Sequence, residues 1–131
     1  EMLDTFYELI ATFLNLNYPQ FVLREGSLTS KDKNAVLVNA VDGTTSLLYF
    51  GTMNPALDSP YFQITVRSET GDSSINAAKD LRDYFATHAQ EIANTHGISL
   101  YRVGDLTTLG RNPLGQMEYL LTYRCVGQGS L

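Results

Sequence analysis

The stretch "QMEYLLTYRCV" (116–126) alternates without a break. Met117, Tyr119, Leu121, Tyr123 and Cys125 point one way, and Gln116, Glu118, Leu120, Thr122, Arg124 and Val126 point the other. Successive side chains of a strand leave opposite faces of a sheet, so a period of two means a β-strand. One face is apolar and the other mixed, the pattern of a sheet packed on one side. Nothing in the stretch is a catalytic group. Whatever this chain folds into has to be built around so regular a strand.

The rest of the chain supplies partners for it. "YFQITVRS" (61–68) alternates too, with Phe62, Ile64 and Val66 on one side and Tyr61, Gln63, Thr65 and Arg67 on the other. "AVLVNAV" (35–41) is apolar on both faces, as in a strand covered on both sides. "DGTT" after it is a turn signal, and "SLLYFG" (46–51) could complete a hairpin. "FVL" (21–23) reads as a short strand, "REGSLTSKDKN" (24–34) as a surface loop, "TMNPALDSP" (52–60) as a loop and "ISLYRVG" (98–104) as a strand. "TTLGRNPLG" (107–115) reads as a hairpin connection, opened by Asn112-Pro113 and closed by Gly115.

Two segments have the helical period instead. Leu3, Phe6, Tyr7, Ile10, Phe13 and Leu14 make one stripe over 2–15, stopped near Pro19. Ile75, Ala78, Leu81, Phe85, Ala89 and Ile92 make another over 74–96. Ser73 or Ser74 is placed to cap its start, and Gly97 its end. The expected fold is α+β: one domain over 1–131, with a small mixed or antiparallel sheet of about four to five strands and two main helices on one face.

Composition narrows function. The 131 residues carry a net charge of −5 and no cluster of Lys and Arg, so the footprint of a nucleic-acid binder is missing. The single cysteine, Cys125, excludes an intramolecular disulfide and suits a reducing compartment. No apolar run approaches the length of a membrane span, and the opening "EMLDTFYEL" lacks the basic start of a signal peptide. A soluble intracellular protein is expected. Eight tyrosines, six phenylalanines and no tryptophan hint at interfaces.

The candidate chemistries are weak. "NAVDGTTSL" (39–47) resembles the Asp-Gly-Thr stretch of metal-dependent sugar and inositol phosphatases, but Asn39 stands where a second acid would help hold the metal, and Asp-Gly is foremost a hairpin turn. His88 and His96 are eight apart on the second helix, too far for a helical metal pair. Cys125 lies in the apolar face of a strand, where a buried inert thiol is expected. Gly104, Gly110 and Gly115 precede no lysine and make no phosphate loop. No enzyme, metal or cofactor is expected. Arg111, at a hairpin tip, reads either as a solvated arginine or as one placed to pair with another subunit.

The order "FQITVRS", then the helix "INAAKDLRDYF", then "LGRNPLGQMEYLLTYRCV" resembles the tail-terminator, or minor capsid, proteins of long-tailed bacteriophages, including the terminator of lambda-type tails. The resemblance covers roughly 35–126. It rests on a strand ending in an arginine, here Arg67, before the helix, and on a Leu-Gly-Arg turn, here Leu109, Gly110 and Arg111, before a long last strand. Members often carry an acid next, where this chain has Asn112, Pro113 and Leu114 before Gly115.

The resemblance implies a structural virion protein of the tail–neck region, assembled in the host cytoplasm. Such a protein forms a ring, of six subunits in that family, which caps the tail tube protein, ends tube polymerisation and offers its other face to the head–neck connector protein. DNA passes through the channel without specific binding. Arg67, Arg111, Asn112 and Glu118 are then expected at the subunit interface, with acids such as those of "SETGD" (68–72) facing the channel or meeting the arginines. Leu47, Leu48, Tyr49, Phe50 and Met53 are expected to contact the tube or a neighbour. Another head–tail joining protein, a tail-tube subunit, and a small enzyme remain as alternatives.

Overall fold

The structure, a computed structural model, describes residues 2–29, 31–41, 57–58 and 61–128. Helix α1 spans Met2–Asn17 and strand β1 Val22–Glu25. Strands β2 (Ala35–Val41), β3 (Leu57–Asp58) and β4 (Tyr61–Ser68) follow. Helix α2 spans Gly71–His96, and β5 (Ile98–Arg102), β6 (Thr107–Arg111) and β7 (Met117–Gln128) complete the fold.

Among the described residues, the seven strands belong to one sheet. This is more than the four to five expected, even with the two-residue β3 set aside. The α+β class itself stands, and the sheet is mixed because β1 runs parallel to β2, with Val22 opposite Ala35. Arg24 and Glu25, expected in a loop, are thus strand residues.

The unbroken alternation of the last strand has its explanation here. β7 is the hub of the sheet. One of its edges pairs antiparallel with β4, from Ser68↔Met117 to Tyr61↔Arg124, and then with β3 at Gly127 and Gln128. Its other edge pairs with β6 at Met117–Leu120 and with β5 at Tyr123–Gly127. A strand with neighbours on both edges keeps its register only if its pleat is continuous. β6 is a correction to the sequence reading: "TTLGR", expected in a connection, is a strand. The turn proper is Asn112–Gln116, closed by bonds between the Asn112 and Gln116 backbones (2.9 Å) and from Gly115 N–H to the Asn112 carbonyl (2.9 Å).

Both helices pack on one face. On β4, Phe62, Ile64, Val66 and Ser68 are buried while the alternate residues are half-buried, and on β7 Tyr119, Leu121, Tyr123 and Cys125 are buried. Phe6 of α1 joins the layers, its ring 4.8 Å from Phe62 and 5.4 Å from Phe85 of α2. Leu81, Phe85 and Ile92 lie in one core with Phe62, Ile64 and Val66, as the helical stripe predicts.

α2 starts earlier than expected. Its cap is Thr70, whose hydroxyl accepts from Ser73 N–H at 3.3 Å, rather than Ser73 or Ser74. Gly97 does close it, in the left-handed conformation (φ 69°) that glycine adopts without strain. α1 ends two residues before Pro19, and the hydroxyl of Tyr18 is bonded to Asp80 on α2. On β2, Val36 and Val38 are buried on one face, and on the other Ala35 is fully buried while Leu37 and Asn39 are half-buried, so both faces are at least partly covered. The hairpin expected with 46–51 lies outside the described residues.

Candidate functional site: two edges of one sheet

Arg67 and Glu118 come from β4 and β7 and are directly opposite in the ladder. Paired positions put side chains on the same face within reach. Arg67 Nε donates to Glu118 Oε2 at 2.7 Å, and the two side chains are 12% and 18% exposed. Arg67 Nη1 also donates to the carbonyls of Thr29 (2.9 Å) and Asp32 (3.3 Å). Arg67 and Glu118, each expected at a subunit interface, thus pair with one another within one chain, because register brings the two side chains together. It fastens the β1–β2 connection to the sheet.

Asp32 adds to this clamp. Its carboxylate accepts from the Thr29 backbone N–H at 2.9 Å and lies 3.4 Å from Arg24 Nε. The Thr29 amide, and then the Arg24 charge, hold the carboxyl below its ordinary value against the opposing effect of desolvation. The β1 edge is thus short, charged and tied down.

The opposite edge is built differently. Asn112 organises the β6–β7 turn: its Oδ1 accepts from Leu114 N–H and Gln116 N–H, both at 3.0 Å, and its Nδ2 donates to Gln116 Oε1 at 2.8 Å. This is the Asx capping that favours Asn in turns. Arg111 folds over the same turn, donating from Nη1 to the Gly115 carbonyl at 2.8 Å. Thr108 pairs with Tyr119 and Gly110 with Glu118, so Leu109 is the extra residue of a β-bulge, and Gly110 takes φ 91°.

Leu109 is thereby turned out and is 50% exposed, alongside Tyr101 (57%), Val103 (43%) and Leu114 (60%). Among the described residues the outer edges of β5 and β6 pair with no other strand. A shallow depression of about 630 Å³ on the helix-free face is lined by Tyr61, Tyr101, Val103 and Val126 together with Arg102 and Arg124, while Leu114 lies apart, beside Lys33 and Glu69.

The expected site residues thus fall in three places. Arg67 and Glu118 meet inside the chain. Arg111 and Asn112 sit together on the β6–β7 turn. Leu47, Leu48, Tyr49, Phe50 and Met53 lie outside the described residues. The apolar edge was not legible, since only the pairing tells which strand is outermost; a glycine inside "TTLGR" is the one signal that could have marked a bulged strand.

No cluster of His, Cys, Asp and Glu among the described residues could hold a metal. His88 Nδ1 lies 2.9 Å from the Tyr84 carbonyl on its own helix, with its ring tilted 34° against that of Tyr84 at 4.4 Å between centroids. Cys125 is fully buried, and desolvation pushes its thiol up to about 12, so the thiolate nucleophile is absent near neutral pH. Among the described residues no helix is long and apolar enough to cross a membrane. The sequence matches no model of a known protein family, and no curated protein aligns with it significantly.

Proposed function

We propose that this chain is a structural subunit of a long-tailed phage virion, a tail terminator that closes into a ring on the tail tube, stops its growth and presents a surface to the head–neck connector. The observation that carries the reading is the β5–β6 edge. An unpaired strand edge flanked by exposed Tyr101, Val103, Leu109 and Leu114 is a template for another chain. The residues that resemble the terminator family are β4, α2 and β6–β7, which are neighbours in this sheet and its helical cover. A head-to-tail contact at one edge closes into a ring when the rotation between copies allows it. The net charge of −5 suits a channel that does not hold DNA.

The apolar residues Leu47, Leu48, Tyr49, Phe50 and Met53 are assigned to contact the tube or a neighbour. Arg111, on an exposed turn, is the arginine best placed to meet an acid of the next subunit. A tail-tube subunit is the second reading, because the same unpaired edge would also template an open polymer. Sedimentation decides between them: a discrete ring is expected, long filaments would favour the tube subunit, and a strict monomer at all concentrations would overturn both. Arg111→Glu is expected to weaken the ring while circular dichroism stays unchanged. Undiminished rings would remove Arg111 from the interface.

A further inference from the structure

Between α2 and the β5–β7 ladder lies a cavity of about 330 Å³, lined by Arg82, Ala86, Ala89, Leu100, Arg102 and Tyr123 among others. Ala86, Ala89 and Leu100 give it apolar walls. Arg82 and Arg102 bring two guanidiniums whose own ion pairs are long and single-contact: Arg82 Nε to Asp83 Oδ1 at 3.4 Å and Arg102 Nη2 to Asp105 Oδ1 at 3.6 Å. Those carboxylates are 67% and 92% exposed, so water competes for them. Neither pair has the two-bond geometry that makes guanidinium–carboxylate contacts strong.

The third group is the decisive one. Tyr123 is 3% exposed, and its buried hydroxyl has no hydrogen-bond partner among the described residues. Its neighbours include the rings of Phe85 (5.1 Å) and Phe6 (6.1 Å), which offer no strong acceptor. Burial pushes the hydroxyl up to about 12, opposed by the charges of Arg102 and Arg82 and reinforced by that of Asp83, so it remains a donor. Buried donors are nearly always matched by an acceptor. Here Tyr123 and two arginines line one small cavity, and the unmatched hydroxyl lies beneath its wall, shielded from solvent.

We propose that this cavity binds a carboxylate carried on a short apolar stem, held by Arg82 and Arg102 and accepting a hydrogen bond from the Tyr123 hydroxyl. The stem lies against Ala86, Ala89 and Leu100. The hydroxyl is shielded from solvent, so the ligand reaches it as the Arg82 or Arg102 side chain, both partly exposed, turns aside. Two sources present this chemistry: a free organic acid, and a Glu or Asp side chain of a second copy. The site does not depend on ring formation.

The test uses butyrate as the carboxylate and butyramide as its uncharged counterpart, titrated into dilute protein and followed by amide chemical shifts around Leu100 and Tyr123. Butyrate is expected to saturate the site at least about tenfold more tightly than butyramide. Tyr123→Phe is expected to weaken butyrate severalfold while leaving the thermal midpoint unchanged or higher, because it removes an unmatched buried donor. Arg102→Gln, at a partly exposed position, is expected to remove the preference for the anion. No saturable butyrate binding, equal binding of the two probes, or binding undiminished in both variants would overturn the proposal. Adding butyrate to concentrated protein then separates the sources. Dissociation of assembled protein assigns the carboxylate to a second copy, and assembly unchanged at saturating butyrate assigns it to a free acid.

Discussion

The two edges of this sheet end it in opposite ways. At the β1 edge the last strand is four residues long, and Arg24, Asp32 and Arg67 bind its connection back onto the sheet. Edges blunted by charge and brevity resist pairing with other chains. At the β5–β6 edge the chain places a bulge, a turn held by an uncharged amide, and four exposed apolar residues. One edge is tied down by charged side chains with Val22 exposed, and the other exposes more apolar side chains. The difference lies in what fastens each connection: Arg24, Asp32 and Arg67 hold the β1–β2 connection, whereas the Asn112 amide organises the β6–β7 turn, with Arg111 on the Gly115 carbonyl and a long, exposed Arg102–Asp105 pair nearby.

The largest expected effect falls on what both edges share. Phe85 packs against Phe6 and Tyr123 in the core. Phe85→Ala is expected to lower stability by about 3–5 kcal/mol and to release both edges together, measured by chemical denaturation. An unchanged midpoint would mean that α2 does not cover the sheet.

A smaller effect separates the edges. Glu118→Gln removes the charge that meets Arg67 and is expected to cost about 1–3 kcal/mol, since the pair is mostly shielded from water. Hydrogen exchange should accelerate at Thr29 and Asp32 and stay unchanged in the β6–β7 turn. Equal acceleration at both edges would break the distinction drawn between them.

The third change acts on the open edge alone. Leu109→Lys, at the outward position of the bulge, is expected to alter monomer stability by less than about 0.5 kcal/mol and to abolish self-association in sedimentation. The smallest effect is one of pH. The folded Asp32 carboxyl sits below its ordinary value of 3.8. A lowered carboxyl contributes stability in full above the unfolded value and loses it as pH falls through the folded one. The Thr29 amide signal should therefore shift below about pH 3.8, while the Gln116 amide, held by Asn112 Oδ1, stays put. Matching titrations of both amides would contradict the assignment of the clamp.

Local pattern determined much of this protein. The strict alternation at 61–68 and 117–126 specified both the strands and their buried faces, because a pleat sends alternate residues to opposite sides. The stripes of α1 and α2 and the glycine closing α2 were equally readable, since helix periodicity and left-handed φ are properties of a few consecutive residues. Tertiary structure alone decided the rest. That β7 is the hub, that Arg67 meets Glu118, and that β6 is an outer strand all follow from register between segments far apart in the chain. Arg82, Arg102 and Tyr123 likewise come from three different elements and share a cavity only once α2 lies across the ladder. A sequence displays what each residue does relative to its neighbours in the chain. Which edges stay open and which charges meet depends on distances that the folded sheet sets.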